Sequence, residues 1–525
     1  MTAPTSFTGA LAAPHALATE AGVRAYQDGG NAIDAAIAAA AVLTVVYPHN
    51  VALGGDLIAL VRTPDGSVRC VNASGWAGRD VDAAQLRTRH GRKLPSRGAD
   101  AITVPGGVRG WEALRRFGAR LSWERTLQTA HDCAAGVPVA PSLASHIAHP
   151  ENSDLVGTED FDRVFRPSGR AMEAGEELKQ PALALTFGTL RERGPDVFYS
   201  GELADRTIDY LRSRGSVLTA ADFADFRPEV VEPIAVEFRG LTVMTSPPNT
   251  QGFLFLRALK AVEELGVTDP LGDGFGTLMQ VFYRGNQLRR MALADPRHAV
   301  VDVESLVHSD LRDLGEADGV NDALAAHGDT VGVAAADDDG YAVSLIQSVF
   351  DAFGSGLIDP ETGILFHSRG SGFSLDEESP NLIAPLKRPA HTLMPAMTTY
   401  RGSLRHVLST MGGQGQPQII AQLLLRAAAG EGAEAVVAAP RAVVGRQSND
   451  SSADTVSTET DLNVRARGSL ERSGLPISEV PPRTEALGQA NVVFAAADGT
   501  TTAASDPRSD GAAIVAHYPR YRGHQ

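Results

Sequence analysis

A threonine, Thr330, opens the apolar run Thr330-Val-Gly-Val-Ala-Ala-Ala directly after an acidic stretch rich in glycine and alanine, residues 310–329. Inside a strand a threonine has no base beside it and is chemically inert. If the chain is cut before it, the same residue carries a hydroxyl and a free α-amine. That amine has an unperturbed pKa of about 7.7–8.0, so part of it is neutral near pH 7 and can take the hydroxyl proton. The junction Asp329-Thr330 therefore has the chemistry of a latent nucleophile whose base appears only on cleavage. From residue type alone, an ordinary β-residue is the alternative.

Other chemistries lose their simplest signatures. Only Cys70 and Cys133 are present, and there is no CxxC, HExxH, GxxxxGK[ST] or GxSxG. One disulfide is conceivable, but so large a chain without a cysteine framework reads as a cytoplasmic protein. Asp337-Asp338-Asp339-Gly340 is misspaced for a calcium loop and reads as a hairpin tip, so no metal or organic cofactor is expected. With 47 basic against 63 acidic side chains, the net charge of −16 repels phosphate backbones, and no nucleic-acid partner is expected. The longest apolar run, residues 32–47, contains Asp34 and is too short to span a bilayer, and residues 1–19 lack the pattern of a secretory signal. No membrane partner is expected either.

The 525 residues, 43% hydrophobic and 21% charged, suffice for a large globular core. Helices are predicted over 20–27 and, after a cap at Asn31, over 32–46. Residues 57–62 and 68–71 read as a hairpin, and 111–116, 123–135, 202–214 and 419–428 as helices. Thr219 has the form of a capping box. Leu278, Val281, Phe282, Leu288 and Met291 recur at helical spacing and predict one buried face. Residues 310–329 read as exposed and mobile, 447–459 as a polar flexible excursion. After Thr330 the pattern is strand, Asp-Gly turn, strand, ending near Ser348.

The order of motifs along nearly the whole chain resembles the γ-glutamyltranspeptidase family. Upstream it is carried by ATEAGVRAYQDGGNAIDAAIAA (18–39), LGGD (53–56), TVPGGVRGWEAL (103–114) and PPNTQG (247–252). From Asp329-Thr330 onward it is carried by AAADDDGYAVSLIQS (334–348), FGSG (353–356), GILFHSRGSGF (363–373), KRPAHTLMP (387–395), GGQGQPQ (412–418) and SDPRSDGAA (505–513). The resemblance implies an α+β fold, the four-layer αββα sandwich of N-terminal-nucleophile hydrolases. It also implies a proenzyme that cleaves itself between Asp329 and Thr330 into a large subunit, 1–329, and a small subunit, 330–525, sharing one core. By the same resemblance Thr330 is the nucleophile, Ser348 hydrogen-bonds it, and the backbone N–H groups of Gly412 and Gly413 form the oxyanion hole. The implied partners are a small-molecule amide and the two subunits of the one precursor.

The polar set that holds a glutamyl α-carboxylate and α-amine in that family is largely replaced. Its large-subunit arginine falls at Ser74, its asparagine at Phe350, its glutamine and aspartate at Arg369 and Gly372, and its paired serines at His391 and Thr392. A cation at Arg369 repels an α-ammonium, whereas Arg369, His391 and Thr392 together suit a carboxylate, with Phe350 narrowing the pocket. Arg369 could instead pair with Asp351 or Asp376, and His391 could brace a loop. The altered set resembles the oxamate amidohydrolase and acylase-like branch, implying an amidohydrolase that works through an acyl-enzyme on a small, carboxylate-bearing amide. The alternatives are a genuine γ-glutamyltransferase or glutathione hydrolase and, in another class, an unprocessed non-catalytic binding protein.

Overall fold

Alternation along the central strands separates two cores. In Asp329–Asp337, Val331, Val333 and Ala335 pack toward helices, while Ala334 and Ala336 face a second sheet. The neighbouring Ala342–Phe350 and Asp56–Arg62 repeat the pattern, with Ile346, Ile58 and Leu60 on the inter-sheet side. Side chains two apart share a face in an extended strand, so strands apolar at every position must be covered on both sides.

The computed structural model of the chain describes residues 6–310, 329–445 and 454–519. Seven strands form the first sheet, in the order Ala512–Pro519, Ser6–Ala13, Asp329–Asp337, Ala342–Phe350, Asp56–Arg62, Val68–Ala73, Glu229–Val231. The second has six, Thr501–Ser505, Ala490–Ala495, Ser403–Thr410, Ala396–Tyr400, Leu241–Thr245, Ile234–Phe238. Met244, Leu393, Met397, Val407 and Val493 meet the first sheet's Ile58, Leu60 and Ile346 in the layer between them. Helices including Ala16–Gln27, Ala32–Val46 and Trp123–Ala135 cover the first sheet, and Gly252–Glu264, Phe275–Ala292 and Gln416–Ala428 cover the second. This is the expected α+β, four-layer αββα arrangement.

The helix Ala32–Val46 is buried along its whole length, and its aspartate has a structural task. Asn31 caps the N-terminus while Asp34 accepts from the Asn31 N–H (3.0 Å) and from the backbone of Arg120 (2.8 Å) and Leu121 (3.1 Å). Thr219 likewise opens Ala220–Asp225 with a reciprocal capping box. Helix Gln416–Ala428 starts before the expected position because Pro417, in its first turn, needs no donor there.

Two expectations are corrected. Met291 is 53% exposed although Leu278, Val281, Phe282 and Leu288 are buried; it falls in the last turn, beyond the packed face. Within the expected excursion, residues 447–453 lie outside the described residues, but Thr455–Glu459 is a strand between Ala442–Gly445 and Ile477–Val480. Its polar composition misleads because Glu459 is buried and neutralised by Arg508, whose Nε lies 2.9 Å from its carboxylate. Most of the acidic stretch before Thr330, residues 311–328, also lies outside the described residues. Cys70 and Cys133 are free thiols, and among the described residues no helix is long and apolar enough to cross a membrane.

Candidate active site

Thr330 is the second residue of the central strand Asp329–Asp337 and is almost fully buried. Its Oγ1 donates to Ser348 Oγ (3.2 Å), and Ser348 Oγ donates to the Asp329 carbonyl oxygen (2.5 Å). Hydroxyl, hydroxyl and carbonyl thus form one directed chain across the Asp329-Thr330 peptide. Ser348 reaches this position because the register between the two central strands slips between Gln347 and Phe350. Such a bulge turns the strand locally and re-aims its side chains. Phe350 takes up the irregularity at φ 82°, a left-handed conformation that costs a non-glycine residue on the order of 1–3 kcal/mol. Its N–H in turn donates to Ser348 Oγ (2.8 Å), fixing the serine.

The second sheet brings its own elements to this point. Near Gly332 the two sheets come so close that a Cβ there would lie 2.8 Å from Ser409 Oγ, at the end of the strand Ser403–Thr410. Gly412 and Gly413 follow that strand at φ 139° and 50°, in the region that favours glycine. Gln251, buried, donates through Nε2 to the Thr392 carbonyl (2.7 Å) and the Gly413 carbonyl (2.9 Å). It ties the glycine turn to the segment that carries Thr392.

Arg369 occupies the far side of Phe350, its guanidinium carbon 3.4 Å from the ring centroid. Nη1 donates to Thr392 Oγ1 (3.0 Å), whereas Nε and Nη2 are buried and have no hydrogen-bond partner. Burial lowers the guanidinium to about 9, opposed by the charges of Asp56 and Asp351, so it remains a cation at neutral pH. Its unpartnered edge faces Gly372, where a Cβ would stand 3.0 Å from Nη2 and 3.4 Å from Nε. Gly372, Thr392, Lys93 and Arg289 line one cavity. A buried donor pair with no acceptor is costly, and a carboxylate would satisfy it.

The charged partners suggested for Arg369 are engaged elsewhere: Asp376 pairs with Arg92, and Asp351 accepts from Ser368 Oγ (2.9 Å). His391 lines the cavity but carries no charge for an anion. Its Nδ1 accepts from the Leu393 N–H (3.3 Å), so Nε2 carries the proton and donates to Asp56 (3.1 Å). Burial, with the nearby Arg369 charge, lowers this imidazole to about 4. The bracing alternative fits His391 better than the anion grip. Ser74 is also inward-facing: its hydroxyl accepts from Asn249 Nδ2 (3.1 Å), and it lies apart from the residues lining that cavity.

Sequence reasoning did not single out Asp56, His367 or Gln251. Asp56 accepts from the Gly75 (3.1 Å) and Gly106 (3.2 Å) N–H groups, and His367 Nδ1 stands 3.7 Å from its other oxygen. His367, the His391 hydrogen bond and the Gly75 N–H hold Asp56 below the usual carboxylate range despite burial. Each of the three residues sits inside a motif that carries the resemblance, LGGD, GILFHSRGSGF or PPNTQG. Their partners, however, lie far away along the chain. Among the described residues, three possible metal-ligating side chains cluster at His49, His146 and Glu485. There His146 is already engaged with carboxylates, as described below.

Comparison with known proteins agrees with this architecture. The profile of the family described as Gamma-glutamyltranspeptidase matches residues 18–516. The chain belongs to the γ-glutamyltranspeptidase family. It is 35% identical to the oxamate amidohydrolase proenzyme of Klebsiella pneumoniae, over 96% of this chain and 98% of that one. It is 34% identical, over the same shares, to a glutathione hydrolase-like proenzyme of Bacillus subtilis. The crystal structure of cephalosporin acylase from Bacillus halodurans superposes with a TM-score of 0.86 at 30% identity, covering 99% of this chain and 97% of that one. As a γ-glutamyltranspeptidase-family protein with the N-terminal-nucleophile hydrolase fold, the chain is an enzyme of the amide-cleaving class.

Proposed function

We propose that this enzyme cleaves itself between Asp329 and Thr330 and then uses the freed Thr330 to hydrolyse a small, carboxylate-bearing amide through an acyl-enzyme. The observation that carries the reading is the chain from Thr330 Oγ1 through Ser348 Oγ to the Asp329 carbonyl oxygen. In the first step Thr330 Oγ attacks the Asp329 carbonyl carbon. Its proton passes to Ser348, and Ser348 gives its own to the developing oxyanion. Collapse breaks the C–N bond, the nitrogen takes a proton and becomes the Thr330 α-amine, and an ester joins Asp329 to Thr330 Oγ. Water opens the ester, leaving residues 1–329 with a new carboxylate and 330–525 with a free N-terminal threonine.

In the mature site the α-amine takes the Thr330 hydroxyl proton as Oγ attacks the substrate amide, and returns one to the leaving amine. The N–H groups of Gly412 and Gly413 hold the oxyanion; losing one such donor typically costs about 3 kcal/mol in the transition state. Arg369 and Thr392 take the substrate carboxylate, with Phe350 under the guanidinium plane. The named activity of the Klebsiella pneumoniae relative, an oxamate amidohydrolase, is consistent with a short acyl group bearing a carboxylate.

The test is a substrate panel: oxamate and glutaryl amides beside a γ-glutamyl anilide. Faster turnover of the amides without a free α-amine is expected. Preference for the γ-glutamyl compound would replace this reading with a γ-glutamyltransferase or glutathione hydrolase. An intact, inactive chain would replace it with a binding protein.

A further inference from the structure

An imidazole faces Asp329, the residue that would become the large subunit's C-terminus. His146 lies in the helix Pro141–Ala148, with Nε2 3.6 Å from Asp329 Oδ1 and 3.9 Å from Glu485 Oε1. Its Nδ1 is 3.0 Å from the Ser142 carbonyl. Both ring nitrogens face acceptors only, so both carry protons and the ring is an imidazolium.

We infer that His146 is a positioning residue for self-cleavage: its imidazolium holds the Asp329 side chain and thereby fixes the scissile carbonyl on Ser348. The inference rests on the cleavage reading above, but it concerns a residue that neither touches Thr330 nor lines the substrate cavity. Asp329 is tethered at two points, its carbonyl by Ser348 and its carboxylate by His146. With both in place, rotation about the residue's backbone bonds cannot carry the carbonyl off the hydroxyl chain. After the cut the same cation stands beside the new α-carboxylate.

The helix is anchored for this task. The Ser142 N–H donates to Asp510 (3.2 Å), and Ser142 Oγ lies 3.3 Å from both Glu485 oxygens. His49 packs on the His146 ring at 4.4 Å between centroids and itself bonds Ser142 Oγ (3.2 Å). The charged and titratable groups around His146 are thus Asp329, Glu485 and Asp510 from the segment after Thr330 and its junction, His49 from the preceding loop, and His149 at 6.4 Å. The carboxylates outweigh burial and raise His146 to about 9, whereas burial lowers His49 and raises Glu485 to about 7. His146 therefore stays charged below its folded pKa, and the tether is lost as pH rises through about 9.

The test follows appearance of the fragment that begins at Thr330 in freshly purified precursor, by mass spectrometry, from pH 6 to 10. The native chain is expected to show a falling limb near pH 9. His146→Gln and Asp329→Asn are each expected to slow appearance about tenfold and to abolish that limb. The double variant should be no slower than the slower single one, because both remove one contact. A native-like melting curve for Asp329→Asn keeps the test valid if His146→Gln fails to fold. The inference falls if the native chain matures while both variants do so at the native rate with an unchanged pH profile, or if their effects simply add. A native chain that never yields the fragment removes the cleavage reading itself, and the inference with it.

Discussion

At the scale of single residues, two side chains divide the labour. In the proposed reaction Ser348 serves the peptide bond at Thr330, and Arg369 serves the substrate. Ser348→Ala removes both the acceptor for the Thr330 hydroxyl and the donor to the Asp329 carbonyl. Loss of a comparable oxyanion donor costs about a hundredfold or more in rate, so the precursor is expected to accumulate in time-resolved denaturing gels. Arg369→Lys keeps a charge but loses the planar fork. A charge-assisted hydrogen bond contributes about 1.5–3 kcal/mol, so kcat/KM for a carboxylate-bearing amide should fall roughly 10- to 100-fold, mainly through KM. A neutral amide of equal length should be little affected, and this contrast separates a binding role from a structural one. Gly372→Asp offers a carboxylate to the free Nε/Nη2 edge, and competition with the substrate should raise KM for the anionic amide in steady-state kinetics.

At the scale of elements, the hairpin Asp329–Asp337/Ala342–Phe350 supplies the proposed nucleophile, its hydrogen-bond partner and the aromatic floor beneath Arg369. Its stability comes from apolar residues on both faces. Ile346, fully buried in the inter-sheet layer, should cost about 2–5 kcal/mol when truncated to alanine, measured by denaturant unfolding of the mature enzyme. This hairpin was legible in the sequence because alternation, Asp-Gly turn and strand length all agree. So were the helix Ala32–Val46 and its Asn31 cap. The strand Thr455–Glu459 was not, since its one charged side chain, Glu459, is neutralised by Arg508, about fifty residues on in the chain. The role of His391 was hidden for the same reason: the acceptor of its Nε2 proton, Asp56, is 335 positions away in sequence. Local pattern reports which element a residue joins. It does not report which distant polar group will meet its side chain.

At the scale of the whole molecule, the proposed cleavage requires one fold to remain intact while its central strand changes from a continuous chain to a free terminus. The two sheets interleave segments from before and after Thr330: Ser6–Ala13 pairs with Asp329–Asp337, and Ala396–Tyr400 pairs with Leu241–Thr245. Cleavage therefore leaves two fragments that share every layer and should co-purify through gel filtration. Stability should decline toward both ends of the pH scale. Asp295, held by Arg297 and Arg388, lies well below its ordinary value, so its contribution is present above pH 4 and is lost as the pH falls through the folded pKa. His146, raised to about 9, contributes below its ordinary value and loses that contribution as the pH rises through about 9. A melting-temperature profile with a plateau between these limits is expected, and Asp295→Asn should flatten its acid limb.

The most direct measurement is N-terminal sequencing of the smaller fragment in catalytically active material, beside Thr330→Ala prepared in parallel. A fragment beginning Thr-Val-Gly-Val, together with an uncut and inactive alanine variant, is the expected outcome. Turnover by an uncut native chain, a fragment starting at another residue, or undiminished activity in the alanine variant would contradict the assignment of Thr330 as latent nucleophile.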